Sequence, residues 1–218
     1  MISTYTLSAN NENLSQKEVD NLTQTLNEEF ERLTYRKNPQ IFDMENMVSS
    51  GNKWNFPPNQ VTFTPENMKF TNLGSSTMGT LEKVGPHEIF KFNAMLDGLE
   101  ESWYGFGFRA QNSPTAVAWG GNAQYLFVIK KDTIEFQKWG DENLLIEYPN
   151  EYIKDGQWNE YEISAIDQDD GSVTITLKVD GNVVVEYEDK VNPITKPGFF
   201  EIYNMGSNCS IEISPVKE

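Results

Sequence analysis

The first clear period along the chain is helical. In SQKEVDNLTQTLNEEFERLTYRK, residues 15–37, the apolar positions Val19, Leu22, Leu26, Phe30 and Leu33 recur every three or four residues and form one stripe. Ser15 is the predicted N-cap, Glu18 its capping-box partner, and Leu14 with Val19 a hydrophobic staple. Asn38-Pro39 stops the helix, because the residue before a proline is pushed out of the helical region. The stripe is expected to dock on the domain that follows, or else to meet a neighbouring domain or a partner helix. It is too short to read as a coiled coil.

From about residue 41 the period changes to two. Alternating runs follow at Gln60–Thr64, Met68–Leu73, Thr77–Lys83, His87–Leu96, Trp103–Gln111, Gln124–Lys130, Thr133–Trp139 and Leu144–Tyr148. They continue at Glu160–Asp167, Ser172–Val179, Val183–Glu188, Gly198–Tyr203 and Cys209–Ile213. Turn residues separate them at Lys131-Asp132, Asp169-Asp170-Gly171 and Asp180-Gly181-Asn182, the last carrying the Asp-Gly pair that tight hairpins favour. The predicted fold class is all-β, a two-sheet antiparallel β-sandwich with an N-terminal α-helix. The predicted division is residues 1–40, an N-terminal segment with the amphipathic helix, and 41–218, the sandwich. No repeat of propeller or solenoid length is evident.

Composition narrows the partners. With 33 acids against 17 bases the net charge is −16, so nucleic acid is a poor partner. No apolar run approaches the roughly 18 residues of a membrane span, so no membrane insertion is expected. The start, MISTYTLSANNENLSQKE, has neither a basic n-region nor an apolar h-region, so no signal peptide is read there. One cysteine, Cys209, forbids an internal disulfide, and with one histidine, His87, it leaves no soft ligand set for structural zinc. Triad-type nucleophile chemistry would have to use His87, which sits in PHEIFKF and reads as a strand residue.

Two motif matches fail on context. Gly105-Phe106-Gly107-Phe108-Arg109-Ala110 has the letters of a dinucleotide fingerprint, yet WYGFGFRAQ alternates straight through as one strand with no helix opening in it. Asp167-Gln168-Asp169-Asp170-Gly171 resembles the opening of an EF-hand loop, but Lys178 stands where the twelfth-position Glu is needed, so a hairpin turn is expected.

The alternation itself supplies the candidate site. Tyr104, Phe106, Phe108 and Ala110 face the core, leaving Trp103, Gly105, Gly107 and Arg109 outward, where two interior glycines suit close approach of a flat ligand such as a sugar ring. In Thr133–Trp139 the outward set is Glu135, Gln137 and Trp139, and in Phe199–Asn204 it is Glu201 and Tyr203. If these sets share one sheet face, they combine a cation, carboxylates, an amide and rings, the inventory that holds sugar hydroxyls and stacks on a sugar's apolar face. The alternative is that the outward aromatics lie under loops or under the N-terminal helix. Trp119, in AVAWGGNAQY, is either a loop pin or another platform, whereas Trp158 in DGQWNEYEI reads as structural. Asp43 and Glu45 are candidate ligands for a structural ion.

The ordered segments WYGFGFRAQ, QYLFVIKKDTIEFQKW, GQWNEYEISA, VTITLKVDGNVVVEYED and GFFEIYN resemble concanavalin A-like (laminin-G-like) jelly-roll domains, in particular bacterial carbohydrate-binding modules. FDMENM at residues 42–47 looks like the first strand of such a domain. The resemblance implies a concave sheet that binds a polysaccharide or oligosaccharide, often beside a structural calcium (Ca2+) ion. It also implies a place in a larger extracellular or cell-surface protein with other domains. Applied to this chain, it makes Trp103, Arg109, Trp119, Glu135, Gln137, Trp139, Glu201 and Tyr203 the ligand-binding residues and Asp43 and Glu45 the metal ligands. Enzymatic branches of that fold carry Glu-x-Asp-x-Glu or Gln-x-His strands, and neither is present, so a non-catalytic module is expected. The alternatives are a glycoside hydrolase or polysaccharide lyase using Glu135 and Glu201, and a structural or adhesive module acting through the helix.

Overall fold

The computed structural model describes residues 15–37, 54–57, 59–73, 76–85, 87, 89–112, 123–140 and 143–216. The chain divides into two units, residues 1–39 and 40–218.

In the first unit, α1 is Gln16–Lys37. Its start is the predicted capping box. The Ser15 backbone N–H donates to Glu18 Oε2 at 2.8 Å, the Ser15 hydroxyl donates to the same carboxylate at 2.6 Å, and the Glu18 N–H reaches Ser15 Oγ at 3.4 Å. These bonds hold the Glu18 carboxyl below its usual range. Val19 and Leu26 of the predicted stripe are 41% and 47% exposed.

The second unit is a sandwich of two seven-stranded antiparallel sheets. Its strands are β1 (Trp54–Asn55), β2 (Val61–Phe63), β3 (Met68–Leu73), β4 (Ser76–Thr80), β5 (Phe90–Asp97), β6 (Trp103–Ala110) and β7 (Gln124–Ile129). They continue with β8 (Thr133–Trp139), β9 (Leu144–Pro149), β10 (Trp158–Asp167), β11 (Val173–Val179), β12 (Asn182–Asp189), β13 (Phe199–Met205) and β14 (Ser207–Pro215). One sheet runs β1-β4-β13-β6-β7-β8-β9, and the other β12-β11-β10-β5-β14-β3-β2. We call them the front and back sheets.

The period-two pattern explains the layers. The inward residues of β5, β10 and β11 (Phe90, Phe92, Tyr161, Ile163, Ile175 and Leu177) meet those of β6, β7, β8 and β13 (Phe106, Phe127, Phe136 and Phe200) in one core. Phe90 stacks on Phe200 at 4.1 Å between ring centroids, and Phe92 lies edge-on to Phe106 at 5.2 Å, so these rings join the two sheets. Each such ring removed from water contributes about 1.5–3 kcal/mol. The β11–β12 hairpin closes as expected, with Asp180 and Gly181 both at positive φ, 50° and 77°, the geometry whose twist matches the strands it joins. The acidic loop is a turn: Asp170 Oδ1 accepts from the Ser172 N–H and hydroxyl at 2.9 and 2.7 Å.

Three local details differ from the sequence reading or go beyond it. His87 lies in a turn ahead of β5 rather than in the strand, where it is fully buried with Nε2 3.8 Å from Asp167 Oδ2. Trp158 stands at the head of β10, and its ring is 45% exposed. The short pair at β1, with Trp54 opposite Thr80, escaped the pattern because two residues cannot display alternation.

Candidate glycan-binding face

Register assembles the predicted set on the outer face of the front sheet. Glu201 lies opposite Gly107 and Tyr203 opposite Gly105 on β6. Gly107 and Gly105 lie opposite Leu126 and Val128 on β7, which in turn face Gln137 and Glu135 on β8. Trp139 is opposite Gln124, and Trp103 is opposite Met205. Six of the predicted residues therefore share one face, namely Trp103, Glu135, Gln137, Trp139, Glu201 and Tyr203. Trp119, Asp43 and Glu45 lie outside the described residues.

Arg109 does not join them. Between Phe199 and Glu201 the β13–β6 register shifts, so that β6 carries one residue more than its partner. Arg109 takes up that excess at φ 52°. A bulge resets the alternation by one residue, which turns this side chain into the sandwich instead of onto its face. There its Nη1 donates to Asp167 Oδ1 on β10 at 2.8 Å, and its guanidinium also donates to the carbonyls of Ala165 and Ile194. Only 5% of the residue remains exposed.

The two glycines also serve a neighbour inside the protein. A Cβ at Gly107 would stand 2.8 Å from Gln124 Oε1 and 3.1 Å from Tyr203 Cε2, and one at Gly105 would stand 3.1 Å from Tyr203 Cβ. The missing side chains let the Tyr203 ring lie across β6, so its hydroxyl reaches Gln124 on the next strand. The close approach expected of a ligand is made by Tyr203 itself.

Two hydrogen-bond networks result. On β8, Trp139 Nε1 donates to Gln137 Oε1 at 2.9 Å, Gln137 Nε2 donates to Glu135 Oε2 at 2.7 Å, and Glu135 also pairs with Lys130. One strand edge thus fixes the indole plane through a chain ending at an ion pair. Across β13 and β7, the Tyr203 hydroxyl bonds to Glu201, and Gln124 Nε2 donates to it at 3.1 Å. Burial pushes the Glu201 carboxyl from its ordinary 4.5 up to about 7, against a smaller lowering by the Tyr203 hydrogen bond. Burial likewise raises the Tyr203 phenol. Gln124 and Leu126 were missed in the sequence because they sit in an apolar run. The Lys131-Asp132 hairpin, by pairing β7 with β8, was the signal that could have placed them.

Accessibility grades the face. Gln124, Leu126, Val128, Glu201, Tyr203, Gln137 and Glu135 are all buried, with Trp103 and Met205 half-buried against Leu126, Val128 and Tyr203. Trp103 and Trp139 are half-buried near opposite ends of the face, about 20 Å apart at 3.3 Å per residue. On the edge strand β9, Leu145 is 54% exposed opposite Gln137, and exposed Glu147 stands opposite Glu135.

Glu135 and Glu201 are separated by three strand spacings of about 4.8 Å and by two residues along the strands, so their backbones lie roughly 16 Å apart. Each carboxyl is also tied along its own strand. Paired glycosidase carboxylates stand about 5–9.5 Å apart, so these two do not form such a pair. Among the described residues no group of three or more His, Cys, Asp and Glu side chains is arranged to hold a metal ion. No described helix is long and apolar enough to cross a membrane.

No family model matches the chain, and no curated protein does. Solved structures do match. The carbohydrate-binding module CBM66 from Bacillus subtilis superposes with a TM-score of 0.52 at 17% identity, covering 76% of this chain and 95% of that one. The potassium-bound carbohydrate recognition domain of Emp46p gives 0.56 at 13% identity, covering 79% and 89%. A LamA variant from Z. galactanivorans, in complex with laminaritriose and laminaritetraose, gives 0.56 at 13%, covering 81% and 96%. With its two seven-stranded antiparallel sheets, the chain from about residue 54 onward has the concanavalin A-like jelly-roll fold.

Proposed function

We propose that the chain is a non-catalytic carbohydrate-binding module that holds a polysaccharide or oligosaccharide along the outer, concave face of the front sheet. The observation that carries this reading is the β8 ladder. It holds the half-buried Trp139 ring in a fixed plane from beneath, as a platform for the apolar face of a pyranose requires. A ring fixed before binding loses little freedom on binding, which favours affinity. Trp103 offers a second platform at the far end, and the Lys130–Glu135 pair with Glu147 offers polar groups to hydroxyls between them. Glu201, Tyr203 and Gln124 position the floor without reaching the surface. The sequence resemblance adds Trp119 as a further platform and Asp43 and Glu45 as ligands of a structural calcium ion. The likeness to carbohydrate-binding and lectin-like structures supports the reading, and the wide spacing of Glu135 and Glu201 favours binding over hydrolysis.

Such a module works by raising local concentration within a larger extracellular or cell-surface protein, so affinity for one site is modest and multivalency supplies the rest. Affinity gel electrophoresis through a polysaccharide panel, run in calcium and in chelator, tests it. Retardation by at least one polymer, lost on chelation, is the expected result. If no polymer retards the folded chain, the reading is wrong. A structural or adhesive role is the second reading, favoured by the exposed Val19 and Leu26 on α1. A fall in mass by light scattering on Leu26→Glu would support that role.

A further inference from the structure

Among the described residues the sandwich has four sheet edges, β1 and β9 in the front sheet and β12 and β2 in the back sheet. An edge carries backbone N–H and C=O groups that template pairing with another chain, and shortness or a bulge blunts it. β1 has two residues and β2 three. β12 carries an extra residue where its register with β11 shifts between Leu177 and Lys178. β9 has neither protection. Its six residues keep one unbroken register with β8, from Lys138 opposite Leu144 to Thr133 opposite Pro149.

One bond fixes which backbone groups of β9 point outward. The Asn150 N–H donates to the Asp132 carbonyl at 3.0 Å, one step beyond the Thr133–Pro149 pair. Opposite residues of an antiparallel pair alternate between exchanging both bonds and exchanging none. Leu144, Ile146 and Tyr148 therefore bond to β8, while Leu145 and Glu147 turn their N–H and C=O groups away from it. Among the described residues no strand lies beyond β9 to take them. Leu145 is 54% exposed, Glu147 is exposed, and Leu144, Ile146 and Tyr148 are half-buried at the rim of the core. Tyr187 of the β12 edge packs 5.0 Å from Phe136, the residue opposite Ile146, so the open side of the sandwich between these two edges is apolar.

We infer that β9 pairs with β9 of a second copy of this chain, antiparallel about a twofold axis at Ile146. The strand is its own complement in that register. Outward groups must meet outward groups, so the axis passes through a residue and not between two. At Glu147 it would set two carboxylates directly opposite each other, which destabilises a pair of strands. At Leu145 it would run Glu147 and Tyr148 past the start of the partner strand at Leu144. At Ile146 it sets Ile146 against itself and Leu144 against Tyr148 on the core side, with Leu145 opposite Glu147 on the outer side. The axis stands perpendicular to the sheet, so the two front sheets become one with both outer faces on the same side. For the carbohydrate reading this sets two binding faces side by side, a source of avidity for weak sites. The pairing itself does not depend on that reading.

Light scattering on the full chain over a concentration series tests it. The net charge of −16 on each chain opposes association, so the series is run at about 0.15 M salt, where the reach of exposed charge falls to about 8 Å. The expected mass at the top of the series is that of two chains. Leu145→Pro removes an N–H that β8 does not use, at an edge position that tolerates proline, and is expected to leave a folded monomer. Leu145→Asp and Leu145→Lys keep that N–H and read the register. Each sets its new charge opposite Glu147 of the second copy twice, so Asp is expected to weaken association about tenfold and Lys to strengthen it. A wild-type mass of one chain throughout overturns the inference, as does a dimer that survives Leu145→Pro. Equal weakening by Asp and Lys overturns it too. So does a dimer that dissociates on Leu26→Glu, because the contact would then belong to α1.

Discussion

Replacing Glu201 with Gln tests the buried floor of the face. The carboxyl is 1% exposed and is held near pH 7 instead of its ordinary 4.5. A raised carboxyl pKa means that the folded protein binds this proton more tightly than the unfolded chain does. Its contribution to stability is therefore fully present below about pH 4.5 and is lost as pH rises through 7. At about 1.36 kcal/mol per pH interval the loss amounts to about 3 kcal/mol by mildly alkaline pH, a large part of a domain's usual 5–15 kcal/mol. Glu201→Gln removes the charge and keeps a donor for the Tyr203 oxygen. Tyr203 can then donate to Gln124 Oε1, which lies 3.2 Å away. Urea unfolding followed by tryptophan fluorescence, from about pH 4 to pH 9, gives the comparison. The variant is expected to match the wild type near pH 4 and to exceed it by about 3 kcal/mol above pH 8, with m unchanged. Other titrating groups cancel in the difference. A difference that stays flat across this range would refute the assignment of a buried, proton-holding carboxyl.

Two further substitutions probe how the face is built. Arg109→Met leaves Asp167 buried at 1% exposure without its guanidinium, and should cost about 3–5 kcal/mol in the same urea assay. A loss below about 1 kcal/mol would mean that the pair does not join the sheets. Gly107→Ala places a methyl 2.8 Å from Gln124 Oε1 and 3.1 Å from the Tyr203 ring, so it should destabilise by about 1–3 kcal/mol. It should also disturb glycan retention. Unchanged stability would show that Tyr203 does not lie across this glycine.

Much of the fold was legible because it rests on local pattern. The Ser15–Glu18 capping box, the period-two runs and the Asp180-Gly181 turn each depend on neighbours within a few residues. They appear as read, apart from the ends of several strands. The grouping of Glu135, Gln137, Trp139, Glu201 and Tyr203 on one face also followed from alternation, though only the sheet order could say that β13 and β8 lie three strands apart. What stayed hidden depends on tertiary register. A single bulge reverses the side of Arg109, and nothing in WYGFGFRAQ marks where alternation is reset. Gly105 and Gly107 announced a close approach without saying that Tyr203, far along the chain, makes it. Trp158 shows the limit in the other direction, since its neighbours in sequence do not reveal that its ring stands at the water.

In the proposed binding mode a glycan lies on the front sheet against Trp139. The chain has five tryptophans, so a ¹H–¹⁵N spectrum resolves an indole N–H for each, assignable by single substitution. Titrating in an oligosaccharide cut from a polymer that retards the chain reads the contact directly. Progressive shifts of the Trp139 and Trp103 indoles are expected, with Trp158 on the back sheet unmoved. Shifts confined to Trp158, with Trp139 and Trp103 unmoved at saturation, would place the ligand elsewhere and contradict that mode.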